Sequence, residues 1–246
     1  MLKVSTNADG LTCGDLRITR IIAGKIQPGS LVLLNGEADT GKSILCQQLS
    51  YNVMYNSAGA VAYFTSCKKP SDLLDQMESF SFHVQYHFVA DKLRVYPLAA
   101  LNYNPHFNEA VRLLLGCLDN LPPSFTLAVI DHVNPLLAGM TPETQIGLLN
   151  DIRALCRKNR RSAIVVTNPF VFSKNNLFRI YTLCDYYLGT DIVPAPVGLE
   201  QMDSRTMRSL ELRKMGGVEL PNGEQVRFEI RGGTGIHILP YMTVRA

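Results

Sequence analysis

The sequence predicts an α/β fold in which a mostly parallel sheet is flanked by helices and continues into an antiparallel C-terminal extension. Two observations predict it. Through roughly the first two thirds of the 246 residues, short apolar segments alternate with amphipathic segments of helical period, an order that builds a parallel sheet covered on both faces. From about Asp185 onward, strand-like segments follow one another, which indicates antiparallel pairing that extends the same sheet.

Each predicted element has a local signal. Short apolar runs predict buried strands at 31–35, 60–65, 93–96, 126–131 and 162–167. Apolar positions at helical spacing, and prolines near the first turn in two cases, predict helices at 42–56, 70–80, 108–121 and 141–158. The C-terminal strands are predicted at 185–190, 209–213, 225–230 and 235–239. Asn222-Gly223, which precedes the strand predicted at 225–230, is a hairpin turn signal.

The length suits one sizeable domain or a domain with a small appendage, and we predict a single domain spanning residues 1–246. Hydrophobic residues make up 46% of the chain, enough for a full core, and the net charge of +3 is too small to indicate nucleic acid on its own. The six cysteines form no C-x-x-C pair, so no zinc or redox motif is indicated. The N-terminus shows no secretory signal and no apolar run approaches a membrane span, so we expect a cytoplasmic protein without direct membrane insertion.

The most specific motif is a complete match to the P-loop pattern G-x-x-x-x-G-K-[ST]. Its residues are Gly36, Glu37, Ala38, Asp39, Thr40, Gly41, Lys42 and Ser43. The glycines let the backbone curl so that successive N–H groups point into one concavity. Lys42 is placed to bind the β- and γ-phosphates, Ser43 offers a hydroxyl to Mg²⁺, and the following helix adds the positive end of its dipole. A chance glycine turn is the alternative, but the buried strand before the motif and the amphipathic helix after it favour phosphate binding.

Asp131 is the candidate second ligand of Mg²⁺. It ends the apolar strand 126–131, and in P-loop proteins a carboxylate at this point completes the Mg²⁺ shell, usually through water. An apolar strand that ends in aspartate is common, so the prediction depends on the P-loop upstream. The alternative is an aspartate that caps the turn at Asn134-Pro135.

Thr167 and Asn168 are candidate sensors of the γ-phosphate. They end the strand 162–167, from which polar side chains could reach the terminal phosphate and report its presence. A turn before Pro169 is an equally good interpretation. Lys68 and Lys69 could also contact phosphate or a neighbouring subunit, although two solvated lysines are the simpler interpretation.

These residues resemble the RecA/KaiC superfamily from about Asp15 to Ala246. Several softer matches make the chain most similar to FlaH, the KaiC-like ATPase homologue at the base of the archaeal swimming filament, the archaellum. They are 75–79, 93–97, 210–214, 228–230 and 235–238. The resemblance implies a RecA-like core, bound ATP and Mg²⁺, and a homo-oligomeric ring, with a hexamer as one option. It also implies partners in the archaellum motor ATPase and a membrane platform protein, which would hold the protein peripherally at the membrane.

The chain departs from the family at the glutamate that polarises the attacking water near the end of the second strand. Cys67 occupies that position, and no carboxylate lies between Tyr63 and Ser71. A thiol is a weak hydrogen-bond acceptor and a poor general base. Because general base catalysis typically contributes about 10²–10⁴-fold, its loss is expected to slow hydrolysis markedly.

A second departure concerns the Lys-x-Arg-Gly motif, which in KaiC-like proteins reaches the nucleotide of the neighbouring subunit. This chain has Lys214-Met-Gly-Gly217, so Lys214 is a candidate contact in trans while Gly216 replaces the arginine. An arginine finger can contribute about 10³–10⁵ in rate. Arg213 or Arg231 could compensate, and a solvated strand lysine is the alternative for Lys214.

The binding motif is complete and the hydrolysis elements are weakened. We therefore predict a FlaH-like regulatory or assembly component of an archaellum-type motor, acting as a nucleotide-dependent switch with slow or no hydrolysis. One alternative is an active KaiC-like or RecA-like ATPase, with autophosphorylation as one form of it. Another is a recombinase-like DNA-binding protein, for which the sequence shows no clear basic loops.

Overall fold

A nine-stranded sheet runs through the computed structural model, which describes residues 26–56, 59–98, 107–194, 206–216 and 218–239. Its strands are β1 (Leu31–Gly36), β2 (Ala60–Thr65), β3 (Leu93–Pro97), β4 (Phe125–Asp131), β5 (Ser162–Thr167), β6 (Tyr186–Val193), β7 (Met207–Met215), β8 (Val218–Arg231) and β9 (Gly235–Ile238). The helices are α1 (Lys42–Asn56), α2 (Pro70–Ser79), α3 (Gln85–Val89), α4 (Phe107–Asp119), α5 (Asn134–Ala138), α6 (Pro142–Asn159) and α7 (Lys174–Leu183), with a 3₁₀ turn at Pro169–Val171.

The strand order β3-β2-β4-β5-β1-β6-β7-β8-β9 confirms the predicted fold class. The strands from β3 to β6 are parallel, and β7, β8 and β9 pair antiparallel. The predicted extension from about Asp185 differs in one respect, because β6 pairs parallel to β1 on one side and antiparallel to β7 on the other. The carboxyl ends of β1, β2 and β4 meet at one edge of the sheet, as expected of parallel strands.

Two apolar cores cover the two faces of the sheet. Alternation along β1 sends Leu31 and Leu33 to one face and Val32 and Leu34 to the other, and all four are fully buried. One face packs against α1 and α2, and the other packs against α4, α5, α6 and α7. Burial on both faces explains why the central strands are continuous apolar runs.

The predicted hairpin turn at Asn222-Gly223 is wrong. Met215 pairs with Val218, so the β7–β8 connection occupies positions 216 and 217, and Gly216 has a φ of +59°. Asn222-Gly223 lies within β8, where the register shifts between the pairs Leu212–Glu224 and Lys214–Glu219. The Asn-Gly pair therefore lies at an irregularity of the strand, and Gly216 has the positive φ that favours a residue without a side chain.

Three helices are not predicted by the sequence, and α7 is the longest of them. Its N-terminus is capped by Ser173, whose side chain accepts a hydrogen bond from the backbone N–H of Asn176 at 3.2 Å. Asn176 and Ile180 of this helix are fully buried, and Leu177, Tyr181 and Leu183 pack against the same core.

Two expectations from the sequence concern membrane-spanning segments and metal-binding clusters of side chains. Among the helices described above, none combines the length and the apolar character needed to cross a bilayer. In the described ranges, His, Cys, Asp and Glu side chains form no cluster of three or more that could hold a metal ion. The N-terminal segment behind the expectation of a cytoplasmic location lies outside the described residues.

Candidate nucleotide-binding site

The P-loop connects β1 to α1 and is held from outside by the C-terminal strands. A Cβ on Gly36 would lie only 2.2 Å from Thr190 Oγ1 and 2.5 Å from the Thr190 carbonyl oxygen, both on β6. Gly41 has a φ of +88°, and its missing Cβ would lie 3.0 Å from Ile230 Cδ1 on β8. Both glycines are therefore required by the packing around the loop as well as by its curled backbone.

Replacing Gly36 with alanine is expected to displace the loop, because the contact with the Thr190 carbonyl involves backbone and cannot be relieved by a rotamer change. We expect the affinity for Mg-ATP, measured by calorimetry, to fall by about 10-fold or more, corresponding to about 1.4 kcal/mol. Alanine at Gly116, where a Cβ meets nothing within 4 Å, is the matched control. Equal affinities of the two variants would show that the loop tolerates a side chain at position 36.

Lys42 begins α1, and its ammonium group is turned into the P-loop. It donates hydrogen bonds to the carbonyl of Gly36, at 2.8 Å, and to the carbonyl of Glu37. Burial lowers the pKa of the Lys42 ammonium, and the carboxylate of Asp131 opposes that shift. A buried ammonium held over the concavity by loop carbonyls can transfer its hydrogen bonds to phosphate oxygens without further desolvation.

Ser43 and Asp131 lie side by side where the P-loop helix meets the end of β4. The hydroxyl of Ser43 donates to Asp131 Oδ1 at 3.0 Å, and the hydroxyl of Tyr63 donates to Asp131 Oδ2 at 2.8 Å. Burial raises the pKa of the Asp131 carboxyl, while the hydrogen bonds from Tyr63 and Ser43 oppose the rise. The adjacent hydroxyl and carboxylate oxygens are the ligand types that Mg²⁺ prefers when phosphates and water complete its shell.

Tyr63 is not among the site residues that the sequence predicts. It belongs to β2, which pairs with β4 so that Thr65 lies beside Asp131. The ring is fully buried and its hydroxyl fixes one oxygen of the Asp131 carboxylate. The signal in the sequence is the phenol hydroxyl of Tyr63 on a largely apolar strand. That signal can be interpreted only once β2 is known to be the neighbour of β4.

The structure gives Thr167 and Asn168 local partners. Thr167 is buried at the end of β5, and its hydroxyl donates to Asn35 Oδ1 at 3.2 Å. The side-chain oxygen of Asn168 accepts a hydrogen bond from the backbone N–H of Phe170 at 3.1 Å, which caps the 3₁₀ turn that starts at Pro169. Thr167 is thus bonded to β1 and Asn168 caps a turn that starts at Pro169, and the sensor role stays a prediction.

Cys67 lies just beyond the carboxyl end of β2, at the same edge as the P-loop, and its side chain is exposed. Its backbone N–H donates to Thr65 Oγ1 at 3.3 Å. The preceding residue, Ser66, donates its hydroxyl to the carbonyl of His132 at 2.7 Å, which ties this segment to the residue after Asp131. The position expected to hold a glutamate thus follows a residue that is bonded to the carbonyl after Asp131, but carries a thiol.

Lys214 makes hydrogen bonds within its own subunit, and the contact in trans stays a prediction. The side chain is 4% exposed and donates to the carbonyls of Tyr181 and Thr182, at 2.8 and 2.9 Å, at the end of α7. It also lies 5.3 Å from the centre of the Tyr181 ring. A cation at a helix C-terminus satisfies free carbonyls and the helix dipole, so Lys214 fastens α7 to β7. Gly217 of the same motif lies outside the described residues.

Arg208 and Thr190 are contacts of the P-loop that the sequence does not indicate. Arg208 Nε, on β7, donates to the carbonyl of Asp39 at 2.8 Å. Thr190 Oγ1 and Thr40 Oγ1 are 2.8 Å apart and share a hydrogen bond. Asp39 has a φ of +60°, a conformation that few residues other than glycine adopt. Contacts from β6 and β7 therefore stabilise the loop in its curled form.

A family model described as "ATPase: KaiC" matches residues 17–242. The chain belongs to the KaiC family of ATPases. Membership implies nucleotide binding, in agreement with the complete P-loop pattern.

This KaiC-family protein is similar to FlaH. A segment of 84 residues is 36% identical to the archaeal flagellar ATP-binding protein FlaH of Methanocaldococcus jannaschii. The segment covers 33% of this chain and 36% of that protein, so the matched sequence spans about a third of the relative.

Solved structures show the same fold over nearly the whole chain. The crystal structure of the flagellar accessory protein FlaH from Methanocaldococcus jannaschii superposes with a TM-score of 0.71 and 20% identity, covering 94% of this chain and 97% of that one. A KaiC-like protein from Pyrococcus horikoshii OT3 superposes with a TM-score of 0.68 and 18% identity, covering 90% and 94%. At these identities the agreement concerns the fold, and it confirms the RecA-like core expected from the sequence.

Proposed function

We propose that this protein binds Mg-ATP through its P-loop and acts as a FlaH-like, nucleotide-dependent switch or assembly component with slow or no hydrolysis. The observation that carries the proposal is a contrast at one edge of the sheet. Ser43 and Asp131 are in contact at 3.0 Å beside a buried Lys42, while the end of β2 carries Cys67 where a water-activating carboxylate is expected.

The roles of the binding residues follow from this geometry. Lys42 would bind the terminal phosphates, and the backbone N–H groups of the loop would bind their oxygens. Ser43 and Asp131 would hold Mg²⁺, which supplies charge neutralisation for the phosphates. The exposed thiol of Cys67 is a poor acceptor for a proton from water, so bound triphosphate would persist.

The setting of the switch is proposed from the likeness to FlaH. That relative carries the name of an archaeal flagellar ATP-binding protein, and we propose that this chain likewise serves an archaellum-type motor. As a single KaiC-like domain in the cytoplasm, it would assemble into a homo-oligomeric ring and dock on the motor ATPase and the membrane platform protein. Bound ATP would regulate that assembly.

Two measurements on the purified full chain test the proposal. Calorimetry is expected to show binding of Mg-ATP, and steady-state phosphate release is expected to stay far below about 1 s⁻¹, the lower end of typical enzyme turnover. Native mass measurement with and without Mg-ATP is expected to show a nucleotide-dependent change of oligomeric state. Brisk multiple turnover would contradict the switch and favour an active KaiC-like ATPase, and an absence of nucleotide binding would end the proposal.

A further inference from the structure

Lys68 and Lys69 are adjacent in the sequence but differ in their surroundings. Lys69 is exposed, whereas Lys68 is half-buried and donates a hydrogen bond to Gln76 Oε1 on α2. The two lysines therefore do not form one solvated pair. The side chain of Lys68 is anchored, and that of Lys69 offers a natural control.

The anchor of Lys68 is itself fixed by a buried amide. Gln47 Nε2, on α1, donates at 2.8 Å to the same Gln76 oxygen, and Gln47 is fully buried. Gln47 follows the P-loop by one turn of α1, so the anchor is built onto the helix that begins with Lys42 and Ser43. The Gln76 amide oxygen thus accepts hydrogen bonds from both Gln47 and Lys68, and because Gln76 lies in the second half of α2, the ammonium group is fixed beside that helix and α1.

Lys68 follows the carboxyl end of β2, at the edge of the sheet where the neighbouring strand β4 ends in Asp131. Burial lowers the pKa of Lys68 and the Asp131 carboxylate opposes that shift, as the charge of Lys68 in turn counteracts the rise in the Asp131 pKa caused by burial. The backbone supports the same placement, because Ser66 bonds to the carbonyl after Asp131. The Asp72 carboxylate in the first turn of α2 also opposes the lowering of the Lys68 pKa.

We propose that Lys68 is a binding residue for the terminal phosphate of a nucleoside triphosphate and makes the site prefer triphosphate over diphosphate. An ammonium group at the end of β2 attracts phosphate oxygens and has no capacity to accept a proton from water. The segment that would activate water in an efficient ATPase thus carries a cation that stabilises the intact triphosphate. This inference rests on the nucleotide binding proposed above and adds the residue that reads the phosphate chain length.

The test compares Lys68→Met with Lys69→Met by calorimetry, using Mg-AMP-PNP and Mg-ADP as probes. Lys68→Met is expected to weaken AMP-PNP binding by about 10-fold or more, the loss typical of one charge-assisted hydrogen bond. ADP affinity is expected to stay within about 2-fold of wild type, and Lys69→Met to change neither ligand. Lys68→Arg, which keeps the charge, should restore part of the preference.

The outcomes separate this inference from the proposed function. Equal weakening of AMP-PNP and ADP in Lys68→Met, or no change in either, overturns the role of Lys68 while nucleotide binding stands. If thermal unfolding shows that Lys68→Met is not folded, the same comparison of AMP-PNP and ADP binding is made with Lys68→Gln. Wild-type protein that binds neither nucleotide overturns both proposals, whereas rapid hydrolysis combined with a selective loss in Lys68→Met overturns the switch alone.

Discussion

Lys42→Ala is expected to abolish measurable nucleotide binding, with an affinity loss of about 100-fold or more, corresponding to about 2.7 kcal/mol. Lys42 is the buried cation of the P-loop, and its ammonium group already lies against the loop carbonyls of Gly36 and Glu37. Alanine removes both the charge and the hydrogen-bond donors that the terminal phosphates require. Calorimetry with Mg-ATP measures the effect directly.

Lys158→Ala is the matched control for this variant. Lys158 is a surface lysine in the last turn of α6 that pairs with Asp119 at 2.8 Å, and exposed ion pairs contribute little to stability. We expect its affinity for Mg-ATP to equal that of wild type. Retention of tight binding by a folded Lys42→Ala protein would show that the phosphates are bound elsewhere.

Cys67→Glu is expected to raise steady-state phosphate release by about 100-fold, the lower end of the contribution of a general base. Cys67 is exposed at the carboxyl end of β2, and β2 lies beside the strand that ends in Asp131. A carboxylate at this position can accept a proton from water, which the thiol does poorly. Nucleotide affinity is expected to change little, because the P-loop contacts are untouched.

Cys67→Gln provides the control, since glutamine matches the size of glutamate but cannot act as a base at neutral pH. Phosphate release by this variant is expected to remain at the wild-type level. If Cys67→Glu also remains at that level while binding Mg-ATP normally, slow hydrolysis does not arise from the missing carboxylate. An equal rise in both variants would instead point to removal of the thiol as the cause.

Local patterns were sufficient to predict most of the parallel core and the central part of the site. The P-loop pattern specifies eight successive positions, and its glycines, Lys42 and Ser43 have roles that depend on local backbone geometry. Asp131 was predictable because it ends an apolar strand downstream of a P-loop. The structure places its carboxylate against the Ser43 hydroxyl, as this pairing requires.

The other contacts of the site depend on which strands are neighbours in the sheet. The spacing of apolar residues in the sequence carries little information about the strand order. Tyr63 reaches Asp131 only because β2 lies next to β4, and Arg208 reaches Asp39 only because the antiparallel strands lie beside the loop. The partners of Lys214 within its own subunit were not predictable for the same reason, since the carbonyls that it satisfies belong to a helix that the sequence does not indicate. The different surroundings of Lys68 and Lys69 could not be predicted from the sequence, because they depend on the position of α2.

The contact between Gly41 and β8 links two stretches of the chain that are far apart in sequence. Phe228 and Ile230 fill the space that a side chain at position 41 would need, so the composition of a distant strand restricts what the phosphate loop can tolerate. A bulkier residue at position 230 would press on the loop without touching a ligand. Substitutions at Phe228 or Ile230 are therefore expected to change nucleotide affinity while the P-loop motif itself stays unchanged.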